Sequence, residues 1–283
     1  MKRPKTSKIS GLSRTLRLLL ALVFAGMCFV PAAKAQSLKA MTANGATGLF
    51  TLPSGRIGWE EAADIGLDAG LNYNFVGKNP IAQMGISLFK WVEITAGADF
   101  QPYVHTPGDS TLRFNNTDTI LGMKLHFPIK RNALALGGNV QFLLHDSYSA
   151  AGQIYAASTY QGSFFNWPVE TSFALGYTFR EDPDSNINFG IGFDIELFPD
   201  FLRRLVHWIV DYSNFAYSAE ALGTDPFYRG DLSTGIRLDF SAIPRLDDFK
   251  LSLDIVAVDI MDKDHRSGRV GFLFGAPLLG KAW

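Results

Sequence analysis

Between Ile65 and Phe75 the chain alternates without a break: every odd position is apolar and every even one is Gly, Asp or Asn. Period-two alternation places one set of side chains on each face of a strand. The polar face of a soluble sheet is usually dressed in Lys, Glu and Thr. Here it is Gly, Asn, Ser and Asp, residues suited to a narrow, crowded, polar interior, while large aliphatics and aromatics take the other face. That inside-out arrangement predicts an all-β fold, a closed antiparallel up-and-down transmembrane β-barrel.

Ten segments carry the pattern: 63–75, 81–89, 92–101, 117–127, 133–143, 169–179, 187–197, 230–241, 249–259 and 269–276. Short connections (89–91, 128–132, 180–186, 241–248) alternate with mostly longer ones (102–116, 144–168, 198–229, 260–268). This asymmetry predicts periplasmic turns for the first set and external loops for the second. Tyr73, Phe75, Phe89, Trp91, Phe127, Phe179, Phe240 and Phe249 fall at strand ends, where an interfacial aromatic girdle lies. The competing reading is a soluble sandwich or lipocalin-like barrel. It would leave a Gly-rich face as an unusually hole-filled surface.

Two segments do not fit ten strands. Residues 199–211 place Leu202, Leu205, Val206 and Ile209 on one helical stripe after a Pro199-Asp200 start, which predicts a short amphipathic helix in an external loop. Residues 45–58 contain Pro53 and several glycines, which disfavour a regular central strand. If 45–52 and 212–222 are both strands, the count becomes twelve.

The N-terminus predicts export. Six bases between Lys2 and Arg17 precede an apolar core, Leu18 to Val30, and Ala33-Lys34-Ala35 reads as a cleavage site. Residues 1–35 are then a signal peptide, 36–62 a periplasmic entry segment and 63–283 the barrel. Cys28 follows Met27, too large for a lipobox, so it leaves with the signal peptide and the mature chain has no thiol chemistry. Seven of the 26 Lys and Arg leave too. The remaining nineteen bases against 27 acids shift the net charge from −1 to −8. Such an acidic chain excludes nucleic acid as a partner. The expected localisation is the cell outer membrane, with outer-membrane lipid, lipopolysaccharide and the barrel-assembly machinery as partners.

If the inward positions hold, the lumen carries Asp64, Asp68, Glu93, Asp99, Asp118, Glu170, Asp194, Glu196, Asp231, Asp239 and Asp254, facing Lys124, Arg237, Lys250, Arg269 and His126. Two readings follow. One is a packed network of ion pairs that only fills the interior. The other is a constricted, acid-lined path that favours cations, with glycines such as Gly85, Gly97, Gly190 and Gly192 leaving space.

The rival class is a barrel-embedded hydrolase, a protease or lipase. His105, His145-Asp146 and the stretch Asp259 to His265 lie at the expected external rim, where an Asp/His pair activates water. No Asp-x-His spacing supports a protease, and the inward Ser87, Ser172 and Ser252 have no inward histidine clearly beside them. The expectation is therefore no catalysis. No metal or cofactor is expected, because the five histidines are scattered. Asp259, Asp262 and Asp264 lack the glycine and closing Glu of a calcium loop. The aromatic- and Ser-rich stretch 147–168 suits an external ligand of unknown identity.

One family resemblance sits before the first strand. Gly48-Leu49-Phe50-x-x-Pro53-Ser54-Gly55-Arg56, followed by Gly-rich hairpins, resembles the entry segment of YjbH-type barrels. That resemblance implies an outer-membrane protein associated with exopolysaccharide export. It covers about a dozen residues of specific motif.

Overall fold

A computed structural model describes residues 40–280, apart from 62, 76–77, 101–116, 130, 144–148, 181–185, 216–229, 244–245, 247 and 263–265. Twelve antiparallel strands close into one barrel: β1 (Ile65–Asn74), β2 (Asn79–Leu88), β3 (Val92–Phe100), β4 (Thr117–Ile129), β5 (Asn132–Leu143), β6 (Ser149–Phe164), β7 (Trp167–Arg180), β8 (Asn186–Glu196), β9 (Val206–Ser213), β10 (Asp231–Asp239), β11 (Lys250–Val258) and β12 (Ser267–Leu279). Sequence neighbours pair throughout. β1 closes on β12 from Ile65↔Leu279 to Asn74↔Arg269, so no edge strand is left. Closure matters because a bilayer offers no hydrogen bond to an unpaired backbone group.

The outward positions make an apolar belt. Leu71, Leu121, Leu136, Ile154, Leu175, Ile255 and Phe272 are each about half exposed. Their strand neighbours on the other face, such as Gln153, Thr95 and Asp254, are buried. At the end of the barrel where β1 begins, Phe89, Trp91, Phe164, Phe165, Phe198 and Phe249 form an exposed aromatic rim. Tyr73, Phe75, Phe142 and Phe179 do the same at the other end. The β1-start end is called the turn end below; the opposite end, carrying the longer connections, is the loop end.

All ten expected strands are present, and two more replace segments expected as loops. β6 occupies most of 144–168. Its outward face (Gly152, Ile154, Ala156, Ser158) is small and weakly apolar, so its alternation does not stand out in the sequence. The β6–β7 hairpin turns through Phe165 and Asn166, both at positive φ (47° and 70°), without the glycine that normally marks such a turn. β9 replaces the second half of the helix expected over 199–211. Only Pro199–Leu202 is helical, as the single-turn α1 at the turn end. From Val206 the chain alternates as His207, Ile209, Asp211 and Ser213 inward and Trp208 outward. The stripe that suggested a helix was produced by Ile209, an apolar residue that points into the lumen. Of the segments first offered for a count of twelve, 45–52 lies inside the barrel, while 212–213 close β9 and 216–222 lie outside the described residues.

Two added strands also change which end some connections occupy. Residues 128–132 and 241–248 stay at the turn end, with a single 3-10 turn over Phe240–Ala242 in the latter. The connection 180–186, whose middle lies outside the described residues, joins the loop-end termini of β7 and β8 and so leaves the turn end. Residues 198–205 move the opposite way. Phe173 lies midway along β7 on the outward face. Phe173→Arg should destabilise the folded barrel by about 2–4 kcal/mol, the usual cost of a charge at the bilayer midplane. Urea unfolding in lipid vesicles measures it.

Candidate functional site: a lumen filled by the N-terminal segment

Twelve strands enclose more room than their inward side chains fill, and residues 40–61 occupy it. This segment, expected in the periplasm as an entry piece, is almost wholly buried from Ala40 to Glu60. It folds on itself through two isolated bridges, Met41↔Thr47 and Gly48↔Pro53. Gly48 allows the second: a Cβ there would stand 2.2 Å from the Leu52 carbonyl oxygen. Pro53 and the glycines, which argued against a central strand, instead shape a compact insert.

The apolar side of the insert is Leu49, Phe50 and Leu52, packed on Tyr155, Ala157, Ala174, Ile209, Phe215, Val256 and Val258. Inward glycines of β8 make room for it. A Cβ on Gly190 would meet Leu52 Cδ1 at 2.4 Å, and one on Gly192 would meet Leu49 Cδ1 at 2.3 Å. A Cβ on Gly66 would likewise meet the Trp59 indole at 2.2 Å. The space that glycines leave in the wall is thus taken up by the chain itself.

The polar contacts of the insert end on wall carboxylates. Asp211 Oδ2 accepts from three consecutive backbone amides, Phe50, Thr51 and Leu52, at 3.0, 2.7 and 3.1 Å. Glu93 accepts from Thr47 N at 2.8 Å, from Gly58 N at 3.1 Å and from the Thr47 hydroxyl, and lies 3.1 Å from Lys124 Nζ. Lys124 donates in turn to the Thr47 carbonyl at 2.9 Å. Arg56 Nε lies 3.0 Å from Glu170, and the same guanidinium pairs with Glu60. Glu60 Oε2 is 3.0 Å from His126 Nε2. Trp59 Nε1 donates to Asp68 Oδ1 at 2.9 Å, while Lys250 Nζ lies 2.9 Å from Asp68 Oδ2 and 4.5 Å above the Trp59 ring. The Arg237 and Arg269 guanidinia lie 5.8 and 5.9 Å from the centre of the Phe50 ring.

The wall also pairs with itself. Arg237 donates Nε and Nη2 to the two oxygens of Asp254, both at 2.8 Å, a bidentate geometry. His207 Nδ1 is 2.7 Å from Asp194 Oδ1, and its Nε2 is 3.0 Å from the Arg204 carbonyl. Asn79 Nδ2 donates to Asp99 at 2.6 Å, and Asp239 accepts from Ser241 N at 2.9 Å.

Of the lumenal residues read from the sequence, Asp68, Glu93, Asp99, Asp118, Lys124, Glu170, Asp194, Glu196, Asp231, Arg237, Asp239, Lys250, Asp254 and Arg269 are buried on the inner wall. Asp64 is not: its side chain is about half exposed at the turn-end rim, 4.0 Å from Lys90 Nζ. Sequence reasoning missed Asp211 and His207, hidden in the supposed helix, and the insert residues Thr47, Phe50, Arg56 and Glu60. Among the described residues, lumenal cavities beside Thr42 and Asn139, and beside Ala40 and Gln83, measure about 10 Å³ each, room for about one water.

The two described histidines are both engaged in wall or insert contacts. His105, His145-Asp146 and His265, the candidates for a rim hydrolase site, lie outside the described residues. No group of three or more His, Cys, Asp or Glu suited to a metal ion occurs among the described residues.

A closed, even-stranded antiparallel barrel with an apolar belt, two aromatic rims and a charged interior is a transmembrane β-barrel of the outer-membrane class. No protein family and no curated protein matches the chain. Solved structures that resemble it include the KdgM porin (TM-score 0.47, 6% identity, 75% of this chain and 99% of that one). Omp33 of Acinetobacter baumannii gives 0.41 and 9%, over 77% and 99%. OprD of Pseudomonas aeruginosa gives 0.31 and 10%, over 76% and 66%.

Asp211 is the clearest single anchor of the insert. Asp211→Ala strips the acceptor from three buried amides, each costing about 1–3 kcal/mol when left unmet. Amide exchange at Phe50, Thr51 and Leu52, followed by NMR in micelles, should accelerate about 10–100-fold. Asp211→Asn, which keeps one carbonyl oxygen, should accelerate it less.

Proposed function

We propose that this chain is an outer-membrane barrel acting as a small pore, held shut in this state by its own N-terminal segment. The supporting observation is that residues 40–60 run through the lumen and are anchored mainly by polar contacts to wall carboxylates. A purely structural barrel needs only a filled interior, which a narrower barrel supplies more simply with its inward side chains. A detachable insert leaves behind a wall of fixed charge and a twelve-strand lumen. The chain is exported to the outer membrane by residues 1–35, and its partners there are lipid and lipopolysaccharide.

The resemblance to YjbH-type barrels falls on this same insert. Gly48, Phe50, Pro53, Gly55 and Arg56 are its turn-forming and wall-contacting positions. A link to exopolysaccharide export would act through the state of the insert.

The test is conductance in planar bilayers. The full chain should be mostly silent. Gly190→Val with Gly192→Val puts side chains where Leu52 and Leu49 sit and should produce stable conductance steps. Heat-modifiable migration in gels reports that the barrel is folded, and thiol labelling of Ser54→Cys reports that the insert has left. A folded double variant with a labelled, displaced insert and no conductance would overturn the pore reading.

A further inference from the structure

The wall charge does not balance. Among the described residues the inward strand faces carry eleven buried carboxylates against four buried Lys and Arg. Three of those bases are already committed to wall acids, Lys124 to Glu93, Lys250 to Asp68 and Arg237 to Asp254, and the fourth, Arg269, donates to the Phe50 carbonyl of the insert at 3.3 Å. Part of this excess is hydrogen-bonded by the insert, whose own buried charges, Arg56 and Glu60, cancel each other. The insert aims five backbone amides at Glu93 and Asp211 and one guanidinium, Arg56, at Glu170. Toward Glu93, Asp211 and Glu170 the insert therefore supplies the donors that a hydrogen-bonding cation would supply.

We propose that the insert is an internal substitute for small cationic solutes, and that the lumen it vacates is selective for cations, with Glu93, Asp211 and Glu170 as the positions they visit. This inference rests on the pore reading. Removing the insert takes several donors from Glu93, all three backbone donors from Asp211 and the guanidinium from Glu170. With the insert gone, these three carboxylates line one path through the lumen. A cleft lined by one sign of charge concentrates counter-ions. Arg56 shows the geometry one such ligand adopts: a planar cation bracketed by two carboxylates, one from the wall.

The insert's route in and out is testable with one covalent lock. Thr51 Oγ1 and Ser213 Oγ are 2.8 Å apart, one on the insert and one on β9, close enough for a disulfide once both are cysteine. In a Cys28→Ser background, Thr51→Cys with Ser213→Cys in the full chain should be silent when oxidised. Reduction should restore the openings of the parent chain.

Selectivity is read from the reversal potential across a KCl gradient, in the reduced lock and in the Gly190→Val, Gly192→Val variant. K⁺ should be favoured over Cl⁻ by about tenfold. Adding Glu93→Gln and Asp211→Asn to the latter should bring the ratio toward unity. A conducting barrel with no cation preference, or one indifferent to those two neutralisations, would overturn this inference and leave the pore reading standing. A folded barrel that never conducts with the insert displaced would remove the pore reading itself. Equal, non-zero conductance in the oxidised and reduced lock would show that the insert does not gate the path.

Discussion

The circumference of the barrel sets what its interior must contain. Closure through β1 and β12 is obligatory, because an open edge in a bilayer leaves unpaired amides. At twelve strands that closure encloses a lumen that inward side chains alone do not fill. Residues 40–61 resolve the mismatch. Their leucines lodge against glycines of β8, and their amides satisfy carboxylates that would otherwise be buried without donors. The insert and the wall are complementary in shape and in charge, and neither is easily explained without the other.

The outer face was legible in the sequence because its constraint is simple. Every lipid-facing position must be apolar, so period-two alternation survives in ten strands. It faded in β6, whose outward residues are small, and in β9, where Ile209 breaks the polar inward set. Ile209 is inward and apolar because Leu49 and Phe50 pack beside it. The β9 misreading and the missed insert therefore have one cause: a lumen filled by another part of the chain relaxes the polar-in rule. Tertiary contact with a remote segment leaves no local periodicity to read.

The lumenal charges were also legible, as positions, since alternation fixes which side chains point inward. Their partners were not. Glu93 meets Lys124, its direct partner across the β3–β4 register, as pairing predicts, yet it also meets Thr47 and Gly58, which pairing does not predict. Arg56 and Glu60 pair with each other, and their further partners Glu170 and His126 come from β7 and β4, remote in the sequence. A charged interior thus has two separable parts: wall pairs such as Arg237–Asp254 within the barrel, and wall-to-insert pairs that hold the insert in the lumen.

The central claim is that the N-terminal segment lies inside the folded barrel, and Ser54 reports it directly. Its hydroxyl is buried and donates to the Thr47 carbonyl at 3.1 Å. In a Cys28→Ser background, Ser54→Cys in the folded protein should resist a water-soluble maleimide and react fully after unfolding in urea. Rapid labelling of the folded barrel would place the segment outside the lumen and contradict the account.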